Sequence, residues 1–110
     1  MIIATRVLKL KDRKKEIEIP VNIHAPEQHA GAWLCRYEIG WPGGVWTSAG
    51  HGFDATQAIV LTLQKIGTEI YCSDYHKSGQ LMLDRPGSGY GFPVPHNVRD
   101  MLIGDDKTFF

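Results

Sequence analysis

The sequence predicts an α+β domain, an antiparallel sheet of about four strands packed on one long helix, with a short C-terminal helix. Three observations carry this. Apolar and polar residues alternate over much of the first half, the period of strands half-buried on a sheet. From Ala55 the apolar spacing changes to three and four residues, the period of a helix with one buried side. Strands come first and the long helix after them, which favours hairpin-connected antiparallel strands with the helix on one face.

Residues 2–10 alternate imperfectly, with Ile2, Ala4, Leu8 and Leu10 on one side and Ile3, Val7 and Lys9 on the other. A strand apolar on both faces is either covered twice or part of an interface. The run Lys11-Asp12-Arg13-Lys14-Lys15 reads as a hairpin tip. In the next strand Ile17, Ile19, Val21 and Ile23 alternate with Glu16, Glu18, Asn22 and His24, giving one core face and one solvent face. Pro20 lacks a ladder donor and predicts an edge strand or a bulge there. A polar loop through Pro26, His29 and Gly31 leads to a third strand, with Trp33, Cys35, Tyr37 and Ile39 on one face and Leu34, Arg36 and Glu38 on the other. Pro42-Gly43-Gly44 reverses the chain. A three-residue loop there sets Trp41 opposite Val45 and Ile39 opposite Thr47, which sends Trp46 to the outer face beside Arg36, Glu38 and Ser48.

Asp54 is a favoured N-cap type, and its carboxylate can accept the free N–H groups of the first helical turn. Ala55, Ile59, Leu63, Ile66 and Ile70 then share the buried side, and Gln57, Gln64, Lys65, Thr68 and Cys72 the polar one, with Leu61 among them. Gly67 costs a helix interior about 1 kcal/mol against alanine, so it marks a place where another backbone comes close. Beyond the helix, Leu81 to Leu83 read as a short strand and Arg85 to Pro93 as a loop without period. Pro95-His96-Asn97 opens a short helix, Val98 to Ile103, stopped by Gly104, and Asp105 to Lys107 read as frayed.

At 110 residues the chain is expected to form a single domain over residues 1–110. Twelve basic and twelve acidic side chains cancel, so no global field draws it to nucleic acid or an anionic membrane. No signal-peptide pattern or membrane-length apolar run is found, and a cytoplasmic protein is expected. The two cysteines, Cys35 and Cys72, lack CxxC spacing and read as free thiols.

No catalytic residue can be assigned and no cofactor is expected. Gly87-Ser88-Gly89-Tyr90-Gly91 is glycine-rich but lacks the Lys-Ser/Thr ending of a phosphate loop. Cys72, Asp74 and His76 form a C-x-D-x-H string of metal-ligand type, and share a face only if the helix ends there. His51, between glycines before the helix, is a candidate ligand-binding residue together with Tyr90. Apolar side chains on polar surfaces point instead to a protein partner, or to a second copy in a homodimer. The residues expected to bind it are Trp46, Arg36, Glu38, Leu61, Phe109 and Phe110. A third reading, weak nucleic-acid binding through the Lys9 to Lys15 hairpin, lacks interleaved aromatic residues to stack on bases.

The strings Trp33-x-Cys35-x-Tyr37-x-Ile39 and Gly52-Phe53-Asp54-x-x-Gln57-Ala58-x-x-Leu61-x-Leu63-x-x-Ile66-Gly67 resemble a family of short bacterial proteins known only as a domain of unknown function. The resemblance covers roughly residues 30–72. It implies a small bacterial cytosolic protein with sheet before helix, and no activity or catalytic residue.

Overall fold

The computed structural model describes residues 1–110. Six strands, β1 (Ile2–Asp12), β2 (Lys15–His24), β3 (Glu27–His29), β4 (Ala32–Trp41), β5 (Gly44–Gly52) and β6 (Leu81–Met82), pair antiparallel in one sheet. Four are long. β3 continues the line of β2 along the same edge of β4, so across the sheet the order is β5, β4, β2 with β3, β1, β6. The helices are α1 (Ala55–Cys72), α2 (Asp74–Lys77) and α3 (Asp105–Phe109), with a 3-10 segment at His96–Met101. The α+β architecture is the one the sequence predicts, with β3 as a short addition and β6 at the short strand read from Leu81 to Leu83. No helix is long and apolar enough to cross a membrane.

The hairpin of β1 and β2 turns on Arg13 and Lys14 alone, with Arg13 at φ 60°. Leu8, Leu10, Ile19, Val21 and Ile23 are buried on the inner face. The start of β1 is bulged between Ile2 and Ala4, and Ile2, Ile3 and Val7 remain exposed. Pro20 lies in an internal strand, yet its physics holds. β2 pairs with β4 only over Val21 to Ile23, so the ladder begins where the proline ends.

The turn between β4 and β5 has two residues, Pro42 and Gly43, where the sequence suggested three. Trp41 therefore faces Gly44, Ile39 faces Trp46 and Glu38 faces Thr47. A one-residue slip moves every side chain of a strand to the other face. Trp46 thus lies on the helix side with Ile39 and Tyr37, and its indole N–H donates to Tyr37 Oη at 3.2 Å. The expectation that it shares the outer face with Arg36 and Glu38 is corrected, and Ser48 moves inward with it.

α1 starts at the Asp54 cap, whose side chain accepts from Gln57 N at 2.8 Å. Its most buried line is Ala58, Thr62, Ile66 and Ile70, with Gly67 and Tyr71 also buried. Ala55, Ile59 and Leu63 of the expected stripe are only partly buried. The helix is rolled because it meets two surfaces. On one side it lies close on β5, where a Cβ at Gly50 would stand 2.5 Å from Thr62 N. On the other it meets the tail, where a Cβ at Gly67 would stand 1.9 Å from Pro93 O. Gly67 is thus the close backbone approach that its place in the helix predicts.

Tyr90, Phe92, Val94 and Leu102 of the tail complete the core. Two expectations for the tail change. Val98 to Ile103 is not one α-helix, since the 3-10 segment ends at Met101 and is kinked at Val98. Residues Asp105 to Lys107, expected to fray, lie in α3, because Asp106 is anchored inside the protein.

Candidate functional site

Side-chain chemistry concentrates in three places. The first is the outer sheet face, which no helix covers. Here β2, β4 and β5 present His24, Arg36, Glu38, Thr47 and His51 around a cavity of about 540 Å³ that Leu34 also lines. Its polar groups largely answer one another. Asn22 Nδ2 donates to Glu38 Oε1 at 3.1 Å, and His24 Nε2 lies 3.7 Å from the same oxygen. Arg36 Nε donates to Glu27 Oε1 at 2.8 Å, which holds the Glu27 carboxyl below the usual range. His51 is exposed on this face, opposite Leu34.

The second place is internal. Asp106, 2% exposed, accepts from Tyr90 N and Gly91 N, both at 2.9 Å, and from Tyr71 Oη. Tyr71 Oη also accepts from Ile103 N at 3.3 Å. His76 Nδ1 and Tyr90 Oη share a hydrogen bond of 2.5 Å, and the rings of Tyr71, His76 and Tyr90 meet edge to face. Burial raises the Tyr71 phenol, with Asp106 adding to the rise, and pushes Tyr90 up to about 12. Burial also lowers His76. Each of these shifts favours the neutral form of its side chain. Arg6 closes the loop from the sheet side, donating to Gly91 O at 2.7 Å with its guanidinium 4.9 Å above the Phe92 ring.

This arrangement explains the glycine-rich loop. Gly89 and Gly91 take φ of 94° and 76°, conformations that glycine adopts without strain, and the loop turns successive N–H groups toward one anion. The anion is the chain's own Asp106, so the loop is a lock on the C-terminal segment. Asp106 escaped the sequence reading because it lies 16 residues beyond its Tyr90 donor and 35 beyond Tyr71. The only local hint was a pair of acids following Gly104.

His51 and Tyr90, the two candidate ligand-binding residues, do not share a pocket. His51 is on the outer face, whereas Tyr90 is 2% exposed on the inner one. Of the C-x-D-x-H string, His76 turns in to Tyr90 while Cys72 and Asp74 are exposed. No group of three or more His, Cys, Asp or Glu side chains is placed to hold a metal ion. In the basic hairpin Lys9 is 3.9 Å from Glu16, and no aromatic side chain lies between the lysines.

The third place is the flank where β5 ends the sheet. Val45 is 65% exposed, Trp46 45% and Leu61 36%. Lys65 reaches from α1 to this edge, its Nζ donating to Ser48 Oγ at 3.0 Å and to Ala49 O at 2.8 Å. Leu61, one turn earlier, shares that side of the helix. Arg36 and Glu38 belong to the outer face, opposite Ala49 and Thr47 of β5, and Val45 points to that face while Trp46 points to the helix side. Phe109 is exposed at the far end of the chain, and Phe110 packs partly against the core.

A model of one protein family, described as Domain of unknown function (DUF6968), matches residues 4–94. Neither the curated proteins nor the solved structures hold a match to this chain.

Proposed function

The chain belongs to this family, which brings no assigned activity, and we propose that it is a non-catalytic binding protein of the bacterial cytoplasm that acts by protein contact, with a second copy of itself or with a larger protein as an inhibitor or immunity-type partner. One observation carries the reading. The exposed apolar side chains Trp46 and Leu61 on the helix side of β5, and Val45 on its outer side, flank a strand edge that pairs with nothing. The Asp106 cluster is consumed internally, and no buried side-chain nitrogen or oxygen is left without a partner. The test is affinity capture from the source cell with the wild-type chain and with a Val45→Asp/Leu61→Asp double variant that keeps its circular dichroism. A stoichiometric partner held by the first and lost by the second is expected. A wild-type chain that is monomeric and retains nothing refutes the reading.

A second reading is small-molecule binding in the cavity around His24, Arg36, Glu38 and His51. Its volume, about 540 Å³, falls in the range of ligand pockets. A His51→Ala variant that loses a ligand-induced rise in melting temperature, seen with the wild type, would favour it. Nucleic-acid binding through the Lys9 to Lys15 hairpin would show itself as affinity falling steeply with salt.

A further inference from the structure

We propose that the partner on this flank is a second copy of the chain, the two β5 strands pairing antiparallel about a two-fold axis through Thr47. The inference rests on the protein-contact reading and gives it an occupant and a geometry.

β5 is hydrogen-bonded to β4 alone. Two contacts fix which of its backbone groups face outward. Gly50 N–H and Cys35 C=O turn toward each other and meet on Thr62 Oγ1, at 2.8 and 2.7 Å. Ala49 C=O faces the other way, to Lys65. Alternation along an antiparallel strand then aims the N–H and C=O groups of Val45, Thr47, Ala49 and His51 away from β4. Natural edges are protected by shortness, charge, proline or a bulge. β5 has nine residues, no Asp, Glu, Lys, Arg or Pro, and an unbroken register. At the opposite side of the sheet, β6 has two residues and β1 is bulged. The only guard on β5 is the Lys65 ammonium.

The helix argues for a second copy over a loose peptide. α1 lies across β4 and β5. Strands in a sheet are about 4.8 Å apart, so joining β5 to β5 sets the two α1 axes about 10 Å apart, the separation of packed helices. The facing flanks carry Leu61, Lys65, Thr68 and Cys72, the alternating four- and three-residue spacing of a helix–helix seam. An axis through Thr47 places Trp46 opposite Ser48 of the second copy, whose small side chain leaves room for the indole. It also slides the antiparallel helices so that each Lys65 approaches Glu69 of the other copy. A peptide would satisfy the strand edge but leave Leu61 bare and these charges unmatched.

Sedimentation equilibrium of the full chain over a wide concentration range tests this. The wild type is expected to dimerise. Thr47→Pro removes an outward N–H that the monomer does not use, and is expected to give a folded monomer by circular dichroism. Lys65→Glu and Glu69→Lys are each expected to raise the dimer Kd by about tenfold or more, and the double variant to return it toward the wild-type value. A dimer that survives Thr47→Pro, or a double variant no tighter than the singles, overturns the proposed pairing. A monomeric wild type overturns it too. If that monomer still captures another protein through Val45 and Leu61, the broader reading stands while this one falls.

Discussion

Replacing Gly67 with alanine sets two known effects against each other. Intrinsic helix propensity favours alanine by about 1 kcal/mol in a helix interior. The added methyl, however, would stand 1.9 Å from Pro93 O and 3.1 Å from Val94 Cγ1. The first neighbour is backbone, so it cannot rotate aside. α1 and the tail must separate by more than 1 Å, which loosens Val94 and Phe92 from the core. Overpacking of this kind typically costs about 1–3 kcal/mol, and partial loss of two buried side chains adds about 1–2 more. The clash outweighs propensity, and Gly67→Ala is expected to lose about 1–4 kcal/mol. Urea unfolding followed by tryptophan fluorescence measures the loss, and amide exchange should show it first at residues 90–94. An alanine variant as stable as the wild type, with unchanged exchange, would refute the close approach of α1 and the tail.

Three further perturbations probe the internal network. Asp106→Ala leaves the Tyr71 hydroxyl and two N–H groups without their acceptor. About 3–5 kcal/mol should be lost in urea unfolding, and a loss under about 1 kcal/mol would show the lock to be dispensable. Thr62→Val keeps the volume but deletes the hydroxyl between Gly50 N and Cys35 O, with an expected cost of about 2 kcal/mol. A cost below about 0.5 kcal/mol would mean that β4 and β5 close the gap themselves. His76 is held below its ordinary pKa by burial, so the unfolded chain takes up its proton first as pH falls. Its contribution is complete above pH of about 6.5 and declines below it. The melting temperature should drop more between pH 7 and 5.5 for the wild type than for His76→Gln, and equal slopes would remove His76 from the account.

Local chemistry carried much of the fold into the sequence. The alternation of Ile17, Ile19, Val21 and Ile23 needs only a sheet with one wet face, and Asp54 caps its helix whatever lies beyond. Gly67 was legible because a mid-helix glycine is costly enough to need a reason. What failed depended on a single residue of register or on distant partners. Pro42-Gly43-Gly44 allows either loop length, and the choice decides the face of Trp46. Close packing of Gly50 and Gly52 against α1 favours the two-residue form, because it turns those glycines toward the helix. Of the candidate surface, Leu61 was visible as an apolar residue on a polar stripe. The unpaired edge beside it was not, since edge status belongs to the assembled sheet. Phe109 and Phe110, read together, part company because α3 turns one outward and the other back.

The division of labour over the inner face bears on how the surface can be used. α1 covers β4 and β5, while the inner side of β1 and β2 is closed by the tail through Tyr90, Phe92, Val94 and Leu102. The tail is therefore core, and the Asp106 lock and the Arg6 contact hold it there. A partner that opened this side would expose Leu8, Ile19 and Val21 and break the lock, at a cost comparable to the whole stability of a small domain. The β5 flank needs no such opening. Its backbone groups already face outward, Trp46 and Leu61 are already partly bare, and only the Lys65 side chain has to move. Binding there spends little on rearrangement, which favours the edge of the sheet over its closed inner side as the place where this protein meets another.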